Sequence, residues 1–128
     1  MFLLDSNCKK KIIKSREKFQ IFNTLRQLGL KPRMNGTKFI NKCILYIITS
    51  NNEFYNLEDI FKTIIVDYPN LNSRQIRTEI KYALEHRNEK LTEANFENIF
   101  GFKVDEDIFR PKEFIDEFVY MMLEKSST

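Results

Sequence analysis

Apolar residues in this chain of 128 amino acids recur mostly three and four positions apart, the period of an α-helix that buries one face. The clearest run lies between Asn72 and Arg87. Its apolar stripe consists of Ile76, Ile80, Ala83 and Leu84. Asn72 and Gln75, three residues apart, match a capping box at a helix start. The pattern predicts an amphipathic helix whose outer face is polar.

The outer face of this predicted helix carries side chains that can bond to phosphates and to base edges, and an α-helix fits the DNA major groove. The residues on this arc and its flanks are Arg74, Gln75, Arg77, Thr78, Lys81 and Tyr82. An ordinary solvated helix has the same pattern. The sequence of this helix alone therefore does not decide whether its polar face contacts DNA or only solvent.

A shorter helix is predicted just before it. Asn56 can cap its first turn, and its apolar positions have helical spacing: Leu57, Ile60, Phe61, Ile64 and Ile65. Because proline disfavours a helical residue ahead of it, Pro69 should keep this helix from passing Asp67. A short helix, a tight turn and a longer basic helix form a helix-turn-helix layout. Two helices joined by a turn also occur in proteins that bind no nucleic acid.

Four more helices are predicted from the same spacing. They begin near Phe19, Thr37, Thr92 and Pro111, and Thr92 is predicted to cap its helix. The first should use the face formed by Phe19, Phe22, Leu25 and Leu28. Gly29 and Gly101 suit helix C-caps, and Asp105 to Asp107 is predicted to be a solvated acidic loop. With no convincing strand, the predicted fold is all-α: a compact bundle of about six helices with a central helix-turn-helix.

Charge is distributed unevenly along the chain, although the formal net charge is only +3. Residues 1–50 hold eleven Lys/Arg against two acids, a balance of +9, and residues 51–128 have a balance of −6. This asymmetry suggests a basic face for a polyanion and an acidic face for another partner. Residues 1–18 are predicted to be a basic arm, which either binds an anionic surface or is a solvated tail, and residues 19–128 a single domain.

The sequence contains no pattern typical of an enzyme or a metal site. Cys8, Cys43 and the single His86 do not have zinc-ligand spacing. The three glycines form no phosphate-binding loop, and no segment has the roughly 20 apolar residues of a membrane span. We expect a cytoplasmic protein without catalytic activity, cofactor or metal ion.

The order of several segments resembles a known family. The segments are LGLKPRMNGTKFI, SRQIRTEIKYALE, IFGF and RPKEFI. They are similar to the C-terminal DNA-binding domain of the sporulation master response regulator, stage zero sporulation protein A, and the similarity runs from about Phe19 to Leu123. The resemblance implies a six-helix fold, a central helix-turn-helix, head-to-tail dimers on double-stranded DNA and control of entry into sporulation.

This chain departs from the family pattern at several positions. These departures affect the expected function of the chain more than its expected fold. Only about 18 residues precede the domain here, so the phosphorylated receiver domain of the family is expected to be absent. At the base-reading positions the family has Arg, Glu and Arg, whereas this chain has Gln75, Arg77 and Thr78. Arg33 and Asn35 replace the family's His and Lys. Because Arg favours guanine and Gln favours adenine, the target site should differ.

Two functions from different classes follow as hypotheses. In the first, the protein is a small DNA-binding transcriptional regulator. The outer residues of the long helix read the major groove, and Arg33, Asn35 and Lys38 hold phosphates near a helix start. In the second, the protein keeps the fold but binds a sporulation regulatory protein as an interaction module or antagonist.

Overall fold

The structure is a computed structural model that describes residues 18–50 and 55–126. Helix α1 covers residues 18–27 of the described chain. The other elements are α2 (Asn35–Thr49), α3 (Leu57–Ile65), α4 (Ser73–Glu85), α5 (Glu89–Phe100), a 3₁₀ turn (Glu106–Ile108) and α6 (Pro111–Ser126). No strand occurs in these two ranges, which confirms the predicted all-α bundle. Apart from Lys18, the predicted basic arm lies outside the described residues.

Helix α2 is the centre of the bundle, because it packs against α3, α4 and α6. Its buried side chains are largely those predicted from spacing, including Phe39, Ile40, Cys43, Ile44 and Ile47. Burying one such side chain contributes about 1.5–3 kcal/mol of hydrophobic stabilisation. Burial also raises the pKa of the Cys43 thiol to about 12, so this cysteine behaves as a small apolar side chain.

Helices α2 and α4 approach each other closely at Gly36, in the first turn of α2. A Cβ atom added to Gly36 would lie 2.0 Å from the Glu79 carbonyl oxygen and 2.7 Å from the Ala83 Cβ. Glycine on one helix and alanine on the other therefore let the backbones of α2 and α4 come into direct contact. This contact fixes the position of α4 relative to the start of α2.

Gly29 joins the end of α1 to the segment after α4. Its φ of +100° and the hydrogen bond from the Leu30 N–H to the Leu25 carbonyl, at 3.0 Å, form a Schellman C-cap. The Asn88 N–H donates to the Gly29 carbonyl at 2.8 Å. The predicted C-cap is confirmed, and it also serves as a tertiary contact.

Two local predictions were wrong. Helix α5 begins at Glu89 and is capped by Asn88, whose side-chain oxygen accepts from two backbone N–H groups, so Thr92 is not the cap. Thr92 is buried in the helix, and its hydroxyl donates to the Leu28 carbonyl at 2.6 Å. In α1, Phe19 is 76% exposed and Ile21 is buried instead, whereas Leu25 and Leu28 are buried as predicted.

The buried Arg87 joins α4 to the segment before α6. Its guanidinium donates to the Leu84 carbonyl at 2.9 Å, to the Thr92 hydroxyl at 3.2 Å and to both Glu106 oxygens at 3.1 and 2.9 Å. It also lies 3.6 Å from the centre of the Phe109 ring. Residues 105–107 are therefore partly a structural 3₁₀ turn rather than only a solvated loop.

Replacing Gly36 by alanine should destabilise the fold by about 1–3 kcal/mol or more, because the added methyl group meets backbone atoms that cannot rotate away. Gly101→Ala is the matched control, since a Cβ at Gly101 meets nothing within 4 Å and only its φ of +87° is unfavourable. Urea unfolding of both variants measures the difference. An equal loss in both would show that the close contact between α2 and α4 is not the constraint.

Candidate nucleic-acid interface

Helix α4 begins with the predicted capping box. The Asn72 side-chain oxygen accepts from the Gln75 N–H at 2.9 Å, and the Gln75 side-chain oxygen accepts from the Asn72 N–H at 2.8 Å. Both partners are exposed, so the box is accessible to a ligand. Because the oxygen of Gln75 is used in the box, its amide NH₂ group is the part that can donate outward.

The outer face of α4 is polar and exposed, as predicted. Arg74, Thr78, Lys81 and Tyr82 are exposed, while Ile76, Ile80, Ala83 and Leu84 are buried. The Thr78 hydroxyl donates to the Arg74 carbonyl at 2.9 Å, and the Lys81 ammonium lies 3.9 Å from Glu85. The Tyr82 ring stacks on His86 with 3.8 Å between ring centres. The stack holds a half-exposed aromatic side chain in a fixed orientation.

Arg77 is directed toward α3 and is only partly exposed. Its guanidinium donates to a Glu58 carboxylate oxygen at 2.7 Å and 3.3 Å and lies 5.4 Å from the centre of the Phe61 ring. The ion pair is itself solvent-accessible, with side-chain exposures of 41% and 49%. Arg77 is therefore held by α3, and a DNA contact would require it to exchange or share this partner.

The start of α2 has the features of an anion-binding helix terminus. Met34 occupies the N-cap position without a side-chain hydrogen bond, and the first turn holds no acidic residue. Backbone N–H groups at such a terminus and the helix dipole favour negative charge. Arg33, Asn35 and Lys38, the predicted phosphate-holding residues, are all exposed there.

The two parts of the predicted site meet at Gly36. Because the Gly36 backbone touches Glu79 and Ala83, the first turn of α2 lies beside the middle of α4. Arg33, Asn35 and Lys38 are therefore close in space to the α4 helix, although some 40 residues separate them along the chain. Arg77 differs from the rest of the set, because its side chain is committed toward α3.

The turn between α3 and α4 is short and internally bonded. The Tyr68 N–H donates to the Ile65 carbonyl at 2.9 Å, and the Leu71 N–H donates to the Tyr68 carbonyl at 3.0 Å. The Tyr68 ring meets Phe39 of α2 edge-on, with 5.2 Å between ring centres. The short helix α3 and the longer helix α4 follow one another as predicted, and the connection between them is anchored on α2.

Helix α6 carries several acidic side chains, and one of them, Asp116, lines a surface pocket together with Arg77 of α4. Asp116 accepts from Lys112 at 2.8 Å and from the Tyr55 hydroxyl. Burial and this carboxylate raise the pKa of Tyr55, so the phenol stays protonated and continues to donate. Glu113 and Glu117 extend the acidic surface of the same helix.

Two site neighbours were missed by the sequence prediction. Glu58 lies 19 positions before Arg77, and no local spacing rule connects residues so far apart. His86 lies four residues after Tyr82, and this i, i+4 spacing on a helix could have predicted their stacking. Within residues 18–50 and 55–126, no cluster of three or more His, Cys, Asp or Glu side chains could hold a metal ion.

Comparisons with protein-family models, with curated proteins and with solved structures find no match to this chain. In the described part of the chain, no helix has the length and apolar character needed to cross a membrane.

The ion pair between Arg77 and Glu58 should contribute little to folding, because both side chains are solvent-accessible. A double-mutant cycle of Arg77→Ala and Glu58→Ala, measured by urea unfolding, should give a coupling free energy of about 0.2–1 kcal/mol. A coupling above about 2 kcal/mol, outside the range of exposed pairs, would mean that Arg77 is a structural residue rather than one available to a ligand.

Proposed function

We propose that this protein is a small double-stranded DNA-binding transcriptional regulator in which α4 is the recognition helix. The observation that carries the proposal is the packing at Gly36. It brings the basic start of α2 beside the middle of α4, whose outer face is polar. A groove-reading helix with phosphate-holding groups beside it is the arrangement that DNA-binding helices require.

In this proposal the exposed face of α4 enters the major groove. Arg74 and the NH₂ group of Gln75 lie in its first turn, where recognition helices contact base edges. Thr78, Lys81 and Tyr82 follow along the same face and contact bases or phosphates. The N–H groups at the start of α2, together with Arg33, Asn35 and Lys38, hold the backbone and set the register of the helix in the groove.

In this proposal Arg77 exchanges its ion pair with Glu58 for a contact with DNA. An exposed ion pair contributes about 0–1 kcal/mol, whereas a bidentate contact from Arg to guanine contributes about 1–3 kcal/mol of discrimination. Binding can therefore draw the guanidinium away from Glu58. Until then, Glu58 and Phe61 keep Arg77 in an extended orientation beside the recognition face.

Control of sporulation and head-to-tail dimerisation on DNA belong to the proposal through the resemblance of residues 19–123 to the sporulation-regulator domain. The acidic surface of α6 is compatible with a protein contact, because negative charge is repelled by DNA and this end would point away from the duplex.

The second candidate function is an interaction module or antagonist that binds a sporulation regulatory protein. It is favoured by the commitment of two base-reading side chains to contacts within the chain, Gln75 to the capping box and Arg77 to Glu58. Under this alternative, the wild-type protein shows no sequence-dependent DNA binding, and reversing Asp116 and Glu117 to lysine abolishes the protein association.

The decisive substitution is Arg77→Ala, measured by titration against genomic DNA fragments selected for binding. The loss of a base or phosphate contact should cost about 1–3 kcal/mol of specific affinity. Lys90→Ala is the matched control, because Lys90 is an exposed cation on α5, outside the proposed face. Identical titration curves for folded Arg77→Ala and wild type would remove Arg77 from the site, and an absence of selected fragments would favour the antagonist.

Affinity for any duplex should fall steeply with salt, with a log–log slope of about −0.9 per phosphate contact. Deleting residues 1–18, which include six of the Lys/Arg residues, should make this slope shallower. The deleted cations can no longer displace counterions from the DNA phosphates. Filter-binding titrations at several salt concentrations measure both slopes. A truncated protein with an unchanged slope would show that the arm makes no phosphate contact.

A further inference from the structure

A surface groove of about 550 Å³ lies between α1 and α2, beside the turn that follows α3. This volume is within the range of small-molecule sites in proteins. The groove is lined by three lysines, three aromatic residues and one asparagine: Lys18, Lys38, Lys42, Phe19, Phe22, Tyr68 and Asn41. Apart from Lys38, none of these residues belongs to the proposed DNA surface.

Asn41 is the unusual residue of the groove. It is 3% exposed, and its side-chain oxygen has no hydrogen-bond partner among the residues that the structure describes. Leaving a buried acceptor without a donor costs its full desolvation penalty. Thr37, one turn earlier on α2, is also buried with no partner for its hydroxyl among those residues. The missing donor to Asn41 can come from a buried water or from a ligand in the groove.

The charge around the groove selects an anion. Lys18, Lys38 and Lys42 contribute three ammonium groups, and none of the described residues that line the groove is acidic. The Lys42 ammonium lies 5.9 Å from the centre of the Tyr68 ring, so positive charge and an aromatic face occur side by side. The groove does not suit the chain's own N-terminal segment, because residues 1–17 are themselves basic.

The aromatic residues select a flat apolar group. Phe19 is 76% exposed at the rim, while Phe22 and Tyr68 are half-buried. Base–aromatic stacking favours every nucleobase because each has a π-face. In a duplex the bases are already stacked and paired, so an intact duplex cannot offer one to these rings.

We propose that the groove binds a free mononucleotide whose base carries an exocyclic amino group. The phosphate lies among the three lysine ammonium groups, and the base stacks on the aromatic side chains. Because the Asn41 oxygen is buried in the free protein, its side chain turns toward the groove to accept from the amino group. An asparagine side chain pairs with adenine in the same sense, accepting from its amino group. The site does not depend on the proposed function, since it uses neither α4 nor a duplex.

The test is calorimetric titration of the full chain with adenosine 5′-monophosphate, inosine 5′-monophosphate and adenosine. Adenosine 5′-monophosphate should bind saturably. Inosine 5′-monophosphate places a carbonyl oxygen where the amino group was, and it should bind at least about tenfold more weakly, because a site built to hydrogen-bond rejects an analogue that lacks the donor. Adenosine, which has no phosphate, should also bind more weakly.

Two variants separate the ligand contacts from folding. Asn41→Leu removes the unpaired acceptor at similar side-chain volume, so its melting temperature should equal or exceed that of the wild type, while its preference for the adenine nucleotide disappears. Lys42→Gln should weaken binding of the nucleotide and leave binding of adenosine unchanged. Lys62→Gln is the control, because Lys62 is an exposed lysine of α3 outside the groove; its affinity for the nucleotide should stay unchanged.

Several outcomes would overturn the proposal. They are the absence of saturable binding of adenosine 5′-monophosphate, equal affinity for the inosine nucleotide, and unchanged affinity in both Asn41→Leu and Lys42→Gln. Binding of single-stranded oligo(dA) without binding of the mononucleotide would overturn it as well, because the groove would then be a site for single-stranded nucleic acid. Failure of duplex binding would contradict only the proposed function and would leave these results unaffected.

Discussion

The contact between Gly36 and the backbone of α4 is the constraint on which the rest of the structure depends. With a Cβ at this position only 2.0 Å from the Glu79 oxygen, no side chain larger than hydrogen fits without moving a helix. The contact seats the buried stripe of α4 on the central helix and leaves its polar arc outside. It also puts the basic, uncapped start of α2 beside the middle of α4. The core packing and the candidate surface therefore have a common origin.

The candidate surface is partly pre-organised by contacts within the chain. The capping box orients Gln75, the stacking on His86 orients Tyr82, and α3 orients Arg77 through Glu58. Each contact reduces the side-chain entropy that binding would otherwise cost, about 0.5–1.5 kcal/mol per immobilised side chain. The same contacts compete with a ligand for donors and acceptors. Under the proposed function, DNA would displace the contacts that do not match its sequence, the exposed ion pair of Arg77 first.

Local rules predicted the helices well, since caps and turns depend on residues close in the chain. The capping box of Asn72 and the cap at Asn56 occur as predicted, and Pro111 opens α6. Thr92 was misassigned because its partners, Leu28 and Arg87, come from other parts of the fold. In the site, helical spacing predicted which residues of α4 are exposed. It could not predict that Glu58 binds Arg77, because only tertiary packing brings α3 to that position.

The central claim, that α4 and the start of α2 form one DNA-binding face, is tested most directly by mapping backbone amide chemical shifts during titration with a bound duplex. The account predicts that the largest changes occur in residues 33–38 and in the first two turns of α4, from residue 73 to residue 80. Residues of α6 should change little at a single half-site. Changes confined to α6 and residues 105–107, with α4 unaffected, would contradict the account.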